Sequence, residues 1–287
     1  RTIEMKEACY AATAGVKLAQ DHGSGHPDKK ALVIGTDIAR YGLHTPGEPT
    51  QGGGAVAMLI SAAPQVLALA DDSVLLSQDV MDFWRPLYHT TALVDGKYSS
   101  NIYIDYFQDV FKTYLAEQQK TLADFKALTF HLPYTKMGLK ALRSVLPLAT
   151  EAQQRALLAH FEAARHLNRE VGNLYTGSLY LSLLSLLLTD PTLAADDLIG
   201  LFSYGSGAEG EFYTGRLQEN YQRGLDSALP QRLARRRRVS VSEYEALFNA
   251  QLALTASDQT IALGDDPHRF VLTGQQQEQR QYLDRQH

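Results

Sequence analysis

Glu7-Ala8-Cys9-Tyr10-Ala11-Ala12-Thr13-Ala14 opens a run of small residues reaching Gln20, and Ala31-Leu32-Val33-Ile34-Gly35-Thr36-Asp37 follows it. The first run predicts a helix over about Ala8–Gln20 whose nearly flat surface lets another backbone pack closely. The second is an unbroken apolar segment preceded by lysines, the pattern of a strand buried on both faces of a sheet. Gly47-Glu48-Pro49-Thr50-Gln51-Gly52-Gly53-Gly54 then turns the chain into a further strand. The same order returns later. Gly172-Asn173-Leu174-Tyr175-Thr176-Gly177-Ser178 opens a helix rich in Leu and Ser, and Asp197–Tyr204 reads as a strand. Gly205-Ser206-Gly207 is a tight turn, and Glu211–Arg216 a strand back.

Helix, strand, glycine turn and strand, twice in one chain, imply an α/β protein of two pseudo-symmetric halves. Helices stacked between two sheets in this way point to a thiolase-like fold, layered α/β/α/β/α. A pseudo-twofold axis would bring the two helix starts together, so that Cys9 and Asn173 face one site with Ser206 at the second turn. The halves are expected at residues 1–100 and 101–287, the second including C-terminal helices and a tail. Only eight residues precede Cys9, so the strand that precedes the Asn173 helix has no counterpart before the Cys9 helix, and the first half is expected to be N-terminally incomplete.

Cys9 is the only cysteine in 287 residues, which excludes an intramolecular disulfide and a thiolate metal cluster. Near a helix N-terminus it would meet unpaired N–H groups and the positive end of the dipole, which favour the thiolate. Between the halves, Asp79–Pro86 carries the only Trp, His89–Tyr98 reads as loop, and an amphipathic helix is expected over Ile102–Gln118. A strand over Asp124–His131 ends in a histidine that is either a core residue or a catalytic one. Lys136 and Lys140 stand four residues apart on the following helix, hence on one face, as a solvated surface or a clamp for a phosphate-bearing ligand. Glu151–Glu170 reads as one long helix, Arg235–Arg238 as a solvated stretch before a helix over Ser242–Ala253, and Gln275–His287 as a polar periphery.

Apolar content of 45% with 21% charged residues is that of a soluble globular protein, and a net charge of −5 argues against general nucleic-acid binding. The longest apolar stretch, Leu179–Leu188, is too short to span a bilayer and is broken by Tyr180, Ser182 and Ser185. Without a disulfide or a signal-peptide pattern, the cytoplasm is the expected location. His22 and His26 read as exposed loop residues, since no further ligand cluster accompanies them.

Five stretches taken in order carry a specific resemblance. Glu7–Ala14, Gly47–Gly52, Phe83-Trp84-Arg85-Pro86, His131-Leu132-Pro133-Tyr134-Thr135-Lys136-Met137 and Tyr204-Gly205-Ser206-Gly207-Ala208 resemble the bacterial type of the hydroxymethylglutaryl-CoA synthase family, from Glu4 to about Phe248. The resemblance implies that Cys9 takes an acetyl group from acetyl-CoA as a thioester, and that His131 binds and polarises acetoacetyl-CoA. It implies that Asn173 and Ser206 hold the acyl chain, with the backbone N–H groups of Cys9 and Ser206 as oxyanion donors. Lys136 and Lys140 would meet CoA phosphates, while Asp37, Tyr41 and Thr50 line the pocket. No metal or redox cofactor is called for, coenzyme A thioesters being substrates, and a homodimer is implied. In that family the stretch before the Cys9 helix carries a glutamate acting as general acid/base, so a docked N-terminal fragment or a larger parent protein is expected. A decarboxylating ketoacyl synthase of the same fold and a non-catalytic acyl-CoA-binding subunit are the competing readings.

Overall fold

Ala11–Gly25 forms α1, which buries Ala11, Ala12, Thr13, Val16 and Ala19 on one face. The computed structural model describes residues 1–89, 92–250, 255–264 and 267–286. They form two compact units, residues 1–236 and 237–287. α1 runs past the expected end at Gln20, so His22 lies on its last turn, with its ring stacked on that of His26.

After α1, β1 (Lys30–Ala39) and β2 (Gly52–Ser61) pair antiparallel from Lys30↔Ser61 to Ala39↔Gly52. Their inner side chains Val33, Val56, Met58 and Ile60 pack toward Ala12 and Val16 of α1. Their outer side chains are apolar too, yet Leu32, Ile34, Ile38 and Leu59 are 62, 55, 72 and 63% exposed. The expectation that β1 is buried on both faces is therefore corrected: among the described residues only one face is covered. The unbroken apolar run reflects what each face could bury, and periodicity alone cannot say what lies against it.

β3 (Leu67–Leu69) and β4 (Val74–Ser77) follow, then a two-residue ribbon of β5 (Phe83–Trp84) with β6 (Leu93–Val94). α2 (Gly96–Glu117) starts six residues before its expected first residue, because Asp95 caps it by accepting the Tyr98 N–H at 3.0 Å. β7 (Ala127–Phe130) and α3 (Thr135–Val145) come next. The expected single helix over Glu151–Glu170 divides into α4 (Glu151–Ala164) and α5 (His166–Val171) at Arg165. A 3₁₀ turn, Tyr175–Gly177, leads into α6 (Ser178–Thr189), followed by β8 (Leu198–Gly205), β9 (Glu209–Leu217) and α7 (Leu229–Ala234).

β3, β9, β8 and β7 line up in that order, with β4 also on β9; β7 runs parallel to β8 and the other pairs are antiparallel. One face of this sheet meets α2 and α3 through an aromatic cluster of Tyr103, Phe107, Phe111, Phe130, Phe202 and Phe212. The other face meets α1 and α6, where Leu201 and Tyr213 pack with Ala12, Val16, Leu179 and Tyr180. The small buried residues Ser178, Ser182 and Ser185 let α6 lie close to its neighbours. The repeat is thus real: α1, β1 and β2 correspond to α6, β8 and β9. The layers run β1–β2, then α1 with α6, then the five-stranded sheet, then α2 with α3.

The second unit holds α8 (Val241–Asn249), capped by Ser240, and a small antiparallel sheet of β10 (Gln259–Thr260), β11 (Phe270–Gln276) and β12 (Gln279–Asp284). The polar end of the chain forms the β11–β12 hairpin, tied by a two-pronged Arg269–Asp284 ion pair. Residues 251–253 of the expected helix lie outside the described residues.

Candidate active site

Cys9 stands two residues before α1, and its neighbour Tyr10 is the N-cap. β8 ends directly against this pair. A Cβ on Gly205 would lie 2.8 Å from Tyr10 Cβ and 2.9 Å from Tyr10 N, so only glycine lets the strand end approach the backbone beside the thiol. Tyr10 OH donates to Glu211 at 2.5 Å, and Lys17, two turns along α1, pairs with the same carboxylate at 3.4 Å. Thr13 Oγ1 donates to Ser203 Oγ at 2.8 Å. α1 is therefore pinned to β8 and β9 at three points along its length.

The second helix start converges on the same place. Thr176 Oγ1 accepts the Ala12 N–H, and the Thr176 N–H reaches Asp37 at 3.4 Å, so the two helix starts and the end of β1 meet as the repeat implies. Asn173 is buried; its N–H donates to Thr50 O at 3.0 Å and its Oδ1 accepts from Tyr175 N–H and Ser178 OH. That leaves Asn173 Nδ2 to donate to Tyr41 OH at 3.0 Å. Gly52 makes this possible, because a Cβ there would stand 2.7 Å from Asn173 N. The Tyr41, Phe83 and Tyr175 rings meet edge-on or tilted beside Asn173.

Asp82 is a site residue that the sequence reading missed. It is completely buried; Oδ2 accepts from Ser206 and Tyr204 hydroxyls at 2.9 Å each and from Ser99 at 2.8 Å, while Oδ1 has no partner among the described residues. The signal available was a single acid inside Val80-Met81-Asp82-Phe83-Trp84, a run otherwise fit for burial. Tyr175 was likewise passed over.

The expectation that Cys9 favours the thiolate is overturned. Burial first, and then the Asp37 and Asp82 carboxylates, push the thiol well above its ordinary range. Desolvation and two nearby negative charges outweigh the helix dipole, which acts over one turn from a helix that begins only at Ala11. The resting group is a thiol. Asp37 is itself pushed up by burial, against the opposing Thr176 N–H.

His131 follows the last residue of β7, its N–H donating to Phe202 O at 2.8 Å and its carbonyl accepting from Tyr103 OH at 2.6 Å. With the backbone held on both sides, the residue is 1% exposed and its Nδ1 has no partner among the described residues. Burial lowers its pKa to about 3, so the imidazole is neutral near pH 7 and one nitrogen is free for a ligand. The next residues, Leu132–Thr135, wall a cavity of about 170 Å³ together with Thr50, Asn168 and Gly172. Lys136 and Lys140 are exposed on α3 and make no ion pair among the described residues. The fold thus gathers Cys9, Asp37, Tyr41, Asn173, Ser206 and Asp82 at one centre, with Thr50 and the loop after His131 around the adjoining cavity. The two lysines lie on the outside of α3.

The hydroxymethylglutaryl-coenzyme A synthase C-terminal family matches residues 143–262. A hydroxymethylglutaryl-CoA synthase of Enterococcus faecalis is 51% identical over 262 residues, covering 91% of this chain and 68% of that protein. The crystal structure of an HMG-CoA synthase complexed with CoA superposes with a TM-score of 0.93 at 40% identity, over 99% of this chain and 74% of that one. The structure of MvaS in complex with 3-hydroxy-3-methylglutaryl coenzyme A gives 0.86 at 35% identity, with 99% and 74% coverage. A shared backbone over nearly the whole chain, with half the residues shared with the Enterococcus protein, is more than a common fold, and this chain belongs to the hydroxymethylglutaryl-CoA synthase family.

Proposed function

We propose that this chain carries the nucleophile and the acceptor-binding groups for condensing acetyl-CoA with acetoacetyl-CoA to 3-hydroxy-3-methylglutaryl-CoA, a step of the mevalonate pathway. The observation that carries the reading is the convergence of the Cys9 and Asn173 helix starts on one centre, where Cys9 lies among Asp37, Asp82, Tyr41 and Tyr175. Cys9 sulfur attacks the acetyl thioester carbonyl; the new S–C bond replaces that to CoA, and CoA leaves as its thiol after taking up the proton that Cys9 loses. A base removes a proton from the acetyl methyl, and the resulting carbanion equivalent forms a C–C bond to the ketone carbon of acetoacetyl-CoA. Neutral His131 suits the acceptor role, since an uncharged imidazole N–H polarises a ketone without surrendering a full proton. The alkoxide takes up a proton, and water cleaves the Cys9 thioester to release product and restore the thiol. Asn173 and Ser206, with the Cys9 and Ser206 N–H groups, hold the acyl chain and its developing oxyanion. Asp37, Tyr41 and Thr50 line that pocket, and Lys136 and Lys140 meet CoA phosphates.

Asp82 Oδ1 is a carboxylate oxygen at the centre with no partner among the described residues, and the chain spans 68% of its Enterococcus relative. The chain works as a homodimer in the cytoplasm, without a metal or redox cofactor, and with a further N-terminal segment of this family's fold against β1. The exposed outer side chains of β1–β2 are the apolar area such contacts would bury. Intact mass after mixing with acetyl-CoA tests the central step. One acetyl group on Cys9, absent in Cys9→Ser, is expected, and full-stoichiometry labelling elsewhere would remove the assignment.

A further inference from the structure

α1 has no cap of its own. Tyr10 at its N-cap makes no side-chain bond to the helix, and its hydroxyl is committed to Glu211. The N–H groups of the first turn can be followed one by one. Ala11 N–H donates to Glu7 O at 3.0 Å, and Thr13 N–H to Tyr10 O at 2.8 Å. Ala12, between them, is buried, so its N–H needs a partner within the protein. That partner is Thr176 Oγ1, 164 positions along the chain. A Ser or Thr N-cap performs this service for the second or third N–H of its own helix. Here it comes from the turn that opens α6.

Two glycines let that turn come so close. A Cβ on Gly35 of β1 would stand 3.1 Å from Ala12 Cβ and 3.4 Å from Gly177 Cα, and one on Gly177 would stand 3.2 Å from Gly35 O. Thr176 is itself buried and follows Tyr175, whose N–H donates to Asn173 Oδ1 at 2.8 Å. The other ties of α1 hold side chains: Tyr10 to Glu211, Thr13 to Ser203, and Tyr180 OH to Thr13 Oγ1 at 2.9 Å. Among the described residues, Thr176 is the side chain that bonds the backbone of the first turn. Cys9 stands three residues before Ala12 on that same turn of chain, so the bond that places Ala12 also places the thiol.

We infer that Thr176 is a positioning residue: its hydroxyl oxygen caps α1 from the other half of the repeat and so holds the Cys9 turn at the common centre. Its effect on rate rests on the function proposed above, to which it adds a residue that acts through the backbone of α1. A cap lost elsewhere would cost stability alone. This one also joins the nucleophile to the turn that carries Asn173.

Thr176→Val keeps the shape and removes the oxygen, leaving the Ala12 N–H buried and unpaired. Thr176→Ser keeps the oxygen. Cys9 acetylation is followed by intact mass against time on the full chain, at several acetyl-CoA concentrations, and scaled to the folded fraction from circular dichroism. In Thr176→Val the maximal rate is expected to fall about tenfold or more, with half-saturating acetyl-CoA within about twofold of wild type, because aim is lost and binding is kept. Thr176→Ser is expected within about threefold of the wild-type rate, since either hydroxyl can cap. Thr176→Ala is read in the same way if Thr176→Val does not fold. A wild-type rate in the folded Val variant, an equal loss in Ser and Val, or a loss confined to half-saturation overturns the inference. Alkylation of Cys9 by iodoacetamide across pH, on the same proteins, does not depend on the proposed reaction. A thiol released from burial beside Asp37 and Asp82 ionises more readily, so the pH–rate profile should move to lower pH in Val and stay in place in Ser. If wild type is not acetylated at all, the functional reading falls; a moved alkylation profile then keeps Thr176 as the residue that holds the thiol, and an unmoved one removes it.

Discussion

At the scale of single residues, the site is set by what burial does to charge. Cys9 is held as a thiol by desolvation and by the Asp37 and Asp82 carboxylates. Asp82→Asn keeps an oxygen for Ser206 and Tyr204 but removes one negative charge, so the thiol pKa should fall. Alkylation of Cys9 by iodoacetamide at pH 8 should then run roughly three- to tenfold faster than in wild type, with its pH–rate profile moved to lower pH. An unchanged profile would mean that burial alone holds the proton. His131 makes a second prediction. Its pKa is about 3 in the fold, below the ordinary histidine value of about 6.5, so between these limits the unfolded chain binds the extra proton. Stability from this residue is therefore greatest above about pH 6.5 and falls as pH drops, by roughly 1.4 kcal/mol per pH unit until about pH 3. Urea denaturation at pH 6, 5 and 4 should show that slope in wild type and lose it in His131→Asn.

At the scale of elements, two backbone approaches place the site: the end of β8 against Tyr10, and the start of β2 against Asn173. Neither can widen without moving a pinned helix. Gly205→Ala would put a methyl under 3 Å from the Tyr10 backbone, and either the strand end or Cys9 must shift. An overpacking penalty of about 1–3 kcal/mol is expected in thermal or chemical unfolding, with at least tenfold slower Cys9 acetylation in the fraction that folds. Normal acetylation would show that the approach is not needed to aim the thiol. The α3 lysines are tested by ligand length. Lys136→Ala with Lys140→Ala should weaken CoA thioesters about tenfold and leave pantetheine thioesters, which lack the nucleotide phosphates, within about twofold. Equal losses on both ligands would return the pair to a solvated surface.

Across the whole first unit, the two sheets are unequally covered. The five-stranded sheet is packed on both faces, with Phe107, Phe111, Phe202 and Phe212 completely buried on one of them. The β1–β2 pair presents Leu32, Ile34, Ile38 and Leu59 to solvent. An apolar sheet face with unpaired strand edges promotes association. The 287-residue chain by itself is therefore expected to self-associate with rising concentration in analytical ultracentrifugation. Leu32→Lys with Ile38→Lys should reduce that association without lowering the unfolding midpoint, because neither side chain points into the core. A monomer at all concentrations would show that this face is not adhesive.

The sequence alone determined the order of elements, because apolar period, small-residue helices and glycine turns are local signals, and their repetition revealed the two halves. It also set Cys9 and Asn173 at two helix starts related by the repeat, while the position of His131 at a strand end left a core residue and a catalytic one both open. What it could not determine was anything set by groups distant in the chain. The thiol state of Cys9 depends first on burial and then on Asp37 and Asp82, which stand far from it in the chain, and a helix-dipole argument from its own neighbourhood has the wrong sign. Asp82 became a site residue only when Ser206 and Tyr204 were folded onto it. The exposure of one β1 face was equally invisible, since an apolar side chain has the same pattern whether or not a neighbour covers it. Local patterns decide which elements form; burial and charge, which act through space, are decided only when the elements meet.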